Sequence, residues 1–442
     1  MTRRLQATGL AIAGFALLVT GPLVAPPASR AAASTMAGCA WALRLDPNVV
    51  NFFYPDQAAN YWITELPAVP GETLTIHGKY PHSRYISFTS YDGVFRAVDG
   101  LNDQHILADP GSTNPFFPHA LRTAVNRSYT VHAVFGQRPP ATTTQHQNNY
   151  LYTTSQDGSH TNRTSFLVVY RVYRVDRQYA VAGDIQGGEP LPAVTVNIPG
   201  VGSQALQTCP QQPPAPVPFN QLIANTSIGY PEIIGFPGTT PPTWHKFYNA
   251  PESLSTGVTE NQITGDAIGD GLAPVTSSTG AGGFLENPDN NYIFANLSTG
   301  FGPLAIIHGR LPTFPHTFQG QKVMGTGQLR YWSLCSNDGL SERYFECLTD
   351  DDIVTDSYGN YTIVVSNVQN RPANATTSCG LNWLDWGPLS DTLLIVRNML
   401  PASTFLQAIQ NVRLGHEASD MGPYYPRTSY TTVAQITALG CH

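Results

Sequence analysis

Apolar and polar residues alternate with a period of two through much of the chain. Thr73 to His77 and Arg84 to Tyr91 follow this pattern, while Tyr129–Phe135 and Phe166–Val175 are rich in β-branched and aromatic residues. Such runs predict strands with one face buried or, where the apolar run is unbroken, with both faces buried. Asp92-Gly93 and Asp338-Gly339 punctuate them as turn signals. Helical spacing is scarce. The best instance is Ala402 to Gly415, where Phe405, Leu406, Ile409 and Val412 recur on one helical face, and it predicts the one sizeable helix. Short strands separated by Pro- and Gly-rich loops predict a mostly β chain of sandwich or jelly-roll domains.

The strand pattern occurs twice. Asn60-Tyr61-Trp62 precedes Leu74-Thr-Ile76-His77-Gly78, and Asn291-Tyr292 precedes Leu304-Ala-Ile-Ile307-His308-Gly309. A basic residue follows each His-Gly, Lys79 or Arg310, and a Pro-His pair comes next, Pro81-His82 or Pro315-His316. Arg84-Tyr85-Ile-Ser87 then matches Arg330-Tyr331-Trp-Ser333, and Ser165–Arg171 matches Asp391–Arg397 as a closing apolar strand. Blocks in the same order predict an internal duplication. The expected organisation is a first β-sandwich repeat over 39–208 and a Pro-rich linker over 209–218. A second repeat follows over 219–442, opened by a long, loop-rich Gly/Thr insertion.

Residues 1–33 read as a secretory signal. Arg3 and Arg4 precede an apolar run from Leu5, and small residues supply an exit near Ala31–Ala33. Removing them takes away Arg3, Arg4 and Arg30 but no acid, which moves the net charge from −7 to −10. No later stretch is apolar for long enough to span a bilayer, so the processed chain is expected to be secreted or surface-associated without being an integral membrane protein. With three lysines (Lys79, Lys246 and Lys322) and no basic run, nucleic acid is excluded as an expected partner. Six cysteines in an exported chain suggest disulfides. The favoured pairing is Cys335–Cys347 across a short loop, with Cys39–Cys209 and Cys379–Cys441 each clasping one part of the chain.

The block His77-Gly-x-x-Pro81 to Arg84-Tyr85-x-Ser-Phe-x-x-Tyr91-Asp92 is followed by Tyr170-Arg-Val-Tyr173-Arg and by Gly187-Gly-Glu-Pro-Leu191-Pro192. Together these resemble an uncharacterised bacterial domain family, a β-sandwich module of exported proteins. The resemblance covers about 60–192, and 291–400 more loosely. The second copy lacks the Gly-Gly-x-x-Leu-Pro tail and carries Asn337 where the first has Tyr91. The resemblance implies fold and export, and carries no activity.

Candidate chemistry falls into four groups. His77 and His82 flank a Pro turn, and Asn102-Asp103-Gln104-His105 clusters polar residues without a turn-making Gly or Pro. His77, His82, Asp103 and His105 are therefore the expected catalytic set if the protein is a hydrolase or lyase. Flat rings stack on sugar faces, so Trp383, Trp386, Trp332 and Tyr85 are the expected ligand contacts. Asp350, Asp352 and Asp356 offer oxygen ligands for calcium, the one cofactor suggested. Asp266 and Asp270 form a second carboxylate pair, of the kind that hydrolyses glycosides. No Gly-x-Ser-x-Gly elbow, Walker loop or dinucleotide fingerprint is present. The expected function is recognition or processing of an extracellular polysaccharide or small carbohydrate-type ligand in an inter-domain groove. The alternatives are the His/Asp hydrolase or lyase, and a cell-surface structural protein without catalytic activity.

Overall fold

The computed structural model describes residues 38–45, 54–93, 96–140, 148–211, 238–246, 285–338, 343–413 and 415–441. The signal segment, most of the Pro-rich linker, and Asp266 with Asp270 lie outside the described residues.

The first half contributes β1 (Cys39–Ala40), β2 (Leu43–Leu45), β3 (Ala59–Pro67), β4 (Thr73–Lys79), β5 (Ser83–Tyr91) and β6 (Ala97–Asn102). It continues with β7 (Ser128–Gln137), β8 (Tyr150–Thr154), β9 (Ser165–Val175), α1 (Arg177–Ala180), β10 (Ala193–Ile198) and β11 (Gly202–Thr208). The second half contributes β12 (His245–Lys246), β13 (Asn290–Ser298), β14 (Leu304–Arg310), β15 (Tyr331–Asn337), β16 (Tyr344–Thr349) and β17 (Asn360–Ser366). It ends with β18 (Asn382–Asp385), β19 (Asp391–Met399), α2 (Glu417–Met421), β20 (Arg427–Thr431) and α3 (Val433–Leu439).

Each half is a β-sandwich, and the strand orders match. The inner sheets run β2-β3-β9-β5-β6 and β12-β13-β19-β15-β16. The outer sheets contain β10-β4-β7-β8 and β20-β14-β17-β18, the first extended by β11 and β1. The unusual parallel pairing of β7 with β8 recurs as β17 with β18. Even the His-Gly motif has one explanation in both halves. A Cβ on Gly78 would lie 2.8 Å from the Tyr129 hydroxyl, and one on Gly309 2.5 Å from that of Tyr361. Each tyrosine is the cross-strand neighbour of its glycine, and only glycine leaves the ring room.

Between the two sheets of each half lies an apolar core. Trp41, Trp62, Phe88, Tyr170 and Leu74 fill the first, and Trp244, Trp332, Trp386, Ile307 and Leu394 fill the second. Both faces of β5 and β9 are buried, because the two inner sheets also pack against each other. Ala59, Tyr85 and Tyr173 from the first half share a cluster with Tyr331 and Met399 from the second. The protein is thus four sheets deep.

The three disulfides are Cys39–Cys209, Cys335–Cys347 and Cys379–Cys441. No free cysteine is left among the described residues. Also among the described residues, no helix is long and apolar enough to cross a membrane.

The expected helix over 402–415 does not form. The segment instead has turns and one 3-10 turn, Ile409–Asn411. Phe405, Ile409 and Val412 are buried as the spacing implied, but Leu406 is 70% exposed. The Asn411 amide donates to the Phe405 and Leu406 carbonyls, and Gln410 to Asn398. Side chains thus satisfy carbonyls that a helix would have satisfied with its own N–H groups.

A charged junction between the halves

The inner sheets meet across a layer of buried charge. Arg84 and Arg330 hold equivalent places at the starts of β5 and β15, and each reaches into the other half. Arg330 Nη1 lies 2.9 Å from Asp103 Oδ1. Arg84 Nη1 lies 3.0 Å from Asp350 Oδ2, and its Nη2 pairs with Asp351. Each guanidinium also donates to the other arginine's carbonyl at 3.3 Å. Asp103 and Asp350 both accept from a strand N–H, that of Ile86 or Trp332.

The pattern continues residue by residue. The Tyr85 hydroxyl donates to Asn287 and Asp289, and the Tyr331 hydroxyl to Asp56. Arg171 donates to the Leu285 carbonyl, and Arg397 to the Tyr54 carbonyl. Tyr54 and Leu285, whose carbonyls accept these bonds, both have positive φ. Burial pushes Asp103 and Asp350 up to about 6, against the pull of Arg330 and Arg84 respectively.

Candidate functional site

The four expected catalytic residues are not brought together, and no hydrogen bond or ion pair joins any two of them. His77 is exposed on the outer sheet, 3.1 Å from Thr130 Oγ1 and 3.6 Å from Asp109. Its counterpart His308 stands 3.1 Å from Thr362 in the same way, as a repeated feature of the framework would. His82 is stacked on Tyr179 with Arg127 Nη1 2.7 Å from its Nε2. Asp103 is spent on Arg330. His105 is exposed on the turn after β6, its N–H donating to Asn102.

Burial, then Arg127 and Arg122, lowers the His82 pKa to about 4. The unfolded chain takes up this proton at the ordinary histidine value, so native stability is lost as pH falls from about 6.5 towards 4. An NMR titration is expected to find the His82 midpoint near 4, and His82→Gln to reduce that acid sensitivity. A midpoint in the ordinary range would contradict this.

The aromatic expectation needs correction for three of four residues. Trp386 and Tyr85 are 0% exposed and Trp332 3%, so none can stack on a ligand. Trp386 packs in the second core and Trp383 against a separate cluster outside it, so the two do not share a surface. Trp383 is half-buried, bonded to Ser366 Oγ at 3.0 Å, with the Arg371 guanidinium 4.2 Å from its ring.

The calcium expectation is also corrected. Asp350 is consumed by Arg84, and Asp352 by Arg174 at 2.8 Å. Asp356 closes a turn by accepting from Tyr358 and Asn360 N–H groups. Among the described residues no group of three or more His, Cys, Asp or Glu side chains is arranged to hold a metal ion.

What the structure does gather lies at the junction's rim. Arg174 Cζ sits 3.7 Å from the Phe318 ring centroid, and its Nε 3.8 Å from Asp351 Oδ2. His316, with a 63% exposed side chain, points Nδ1 towards Asp351 Oδ1 at 4.0 Å. Asp351 is itself 1% exposed at the side chain. Two buried polar atoms here, Asp351 Oδ1 and Arg174 Nε, have no hydrogen-bond partner. Strand register places Gln104 at the position equivalent to Asp351 and Leu400 at that of Arg174. The cluster therefore breaks the symmetry that the rest of the junction keeps. Sequence reasoning missed Arg174, Asp351 and Phe318. The available signal was the mismatch of Arg174 with Leu400 between otherwise parallel strands.

No family model matches the chain, and no curated protein matches it. It is similar to the solved structure of a putative uncharacterized protein from Burkholderia cenocepacia, at 12% identity over 96% of each chain and a TM-score of 0.47. A Vibrio parahaemolyticus protein is also similar, at 12% identity over 86% of this chain and 92% of that one, with a TM-score of 0.40.

Proposed function

We propose that this is an exported protein of two duplicated sandwiches that recognises an extracellular carbohydrate-type ligand at the rim of their junction. The observation that carries the reading is the asymmetry of the rim. Around it the same contacts recur in both halves, whereas Arg174, Phe318, His316 and Asp351 occur together in one place. A guanidinium backed by a ring and an exposed imidazole supply the donors and the acceptor that a hydroxyl-rich ligand needs. Three disulfides fit an oxidising compartment.

Calorimetric titration of neutral and uronate-containing polysaccharides into the processed protein tests the reading. At least one should bind, and Arg174→Ala or Phe318→Ala should weaken it by about tenfold, the effect of about 1.4 kcal/mol. Wild-type protein that binds none of them would remove the proposal.

A processing role has one observation in its favour, the His316–Asp351 pair. The imidazole lies 4.0 Å from the buried carboxylate, one short movement from the hydrogen bond that orients a general base. A folded His316→Ala variant with undiminished turnover of a bound polysaccharide would exclude it.

A further inference from the structure

The outer faces of the two sandwiches differ in a way that the junction does not explain. In the second half, Leu304, Ile306 and Val364 point outward and are covered by Ile436 of α3, with Trp383 packed against them. The cover is tied down by Cys379–Cys441. Register places Thr73, Thr75, His132 and Tyr150 at the equivalent outward positions of the first half. No described element covers them, and all four are partly exposed.

These residues form one row across five adjacent strands. Ser203 on β11 bonds Asn197 on β10. The Asn197 amide donates to Thr73 Oγ1 at 3.4 Å and Thr75 Oγ1 at 3.3 Å on β4. Thr75 Oγ1 is 3.5 Å from His132 Nδ1 on β7. The His132 ring lies 5.0 Å from that of Tyr150 on β8. Thr195 stands beside Thr75 on the same face. With strands about 4.8 Å apart, the row is about 19 Å long. It contains hydroxyls, an amide, an imidazole and a phenol, and no carboxylate, ammonium or guanidinium. The charged pairs His77–Asp109 and Lys79–Glu189 stand at the end of β4. Burial lowers the His132 pKa, which keeps the ring a neutral donor and acceptor.

We infer that this open polar face is a second binding surface, which takes a neutral, linear polysaccharide strand laid across the sheet. A hydroxyl-rich row without charge complements a chain of uncharged sugars, and its length suits several linked rings. The inference takes its ligand class from the junction reading and nothing else from it.

The test titrates linear neutral β-glucan oligomers of two and of about six units into the full-length processed protein. The longer oligomer should bind about tenfold more tightly than the shorter. Thr195→Lys and the double variant His132→Ala/Tyr150→Ala should erase that preference. Thr195→Lys adds a long side chain at a partly exposed site, so its folding, checked by circular dichroism, is not at stake. Face variants that keep the full preference would overturn the inference and leave the junction reading standing. So would a wild type that binds only acidic chains. A wild type that binds no polysaccharide of any kind would overturn both.

Discussion

Arg330→Ala is expected to lose about 4 kcal/mol of stability at neutral pH. The variant leaves Asp103 fully buried without its partner, and breaking one side of a buried pair costs about 3–5 kcal/mol. Arg84→Ala should behave similarly, because Asp350 then loses its guanidinium and Asp351 keeps only Arg174 at 3.8 Å and His316 at 4.0 Å. The double variant Arg330→Met/Asp103→Leu should recover most of the loss, since it removes both charges together. Urea unfolding measures all three. The acid dependence follows from the same chemistry. Burial already raises the Asp103 pKa to about 6, and losing Arg330 removes the largest opposing influence. The stranded carboxyl, whose pKa then lies above 6, escapes its charge by binding a proton, so the loss in Arg330→Ala should shrink as pH falls towards about 6 and level off below it, where the wild-type carboxyl is protonated as well. An equal or larger loss at acid pH, or a double variant as weak as the single, would contradict this account.

Replacing Cys39 and Cys209 by serine should cost about 4 kcal/mol. This bridge joins residues 170 apart and anchors the edge strand β1 beside β11. Removing a bridge enlarges the unfolded ensemble, and the effect grows with the loop enclosed. The Cys335–Cys347 bridge encloses a separation of 12, so its double serine variant should lose about 2 kcal/mol less. Denaturant midpoints of the two variants compare them directly. A larger loss for the short loop would show that native packing around Cys335, against which Arg397 Nη1 lies at 2.9 Å, outweighs chain entropy.

Much of the architecture was legible before any coordinate. Period two along β4 and β5, the apolar runs of β9 and β19, and the recurrence of His-Gly and Arg-Tyr blocks all correspond to elements with the same neighbours in each half. Of the three bridges, only Cys335–Cys347 was legible from its short loop, and the other two followed once it was assumed. Local pattern suffices here because a strand's faces are set by its own alternation.

Partnership was not legible. Arg84 and Arg330 stood out as repeated residues, yet nothing local showed that each would cross into the other half. The acidic run at Asp350 read as a metal site because a carboxylate looks the same in sequence whether an ion or an arginine answers it.

From its own letters, then, the chain determined its strands, their inward faces and the repetition of both, since these depend on neighbours a few residues apart. The packed structure alone decided which charges meet, which rings are sealed away, and where the two halves stop resembling each other. Those outcomes rest on contacts between residues hundreds of positions apart, such as Arg84 and Asp350, and a one-dimensional pattern carries no record of such distances.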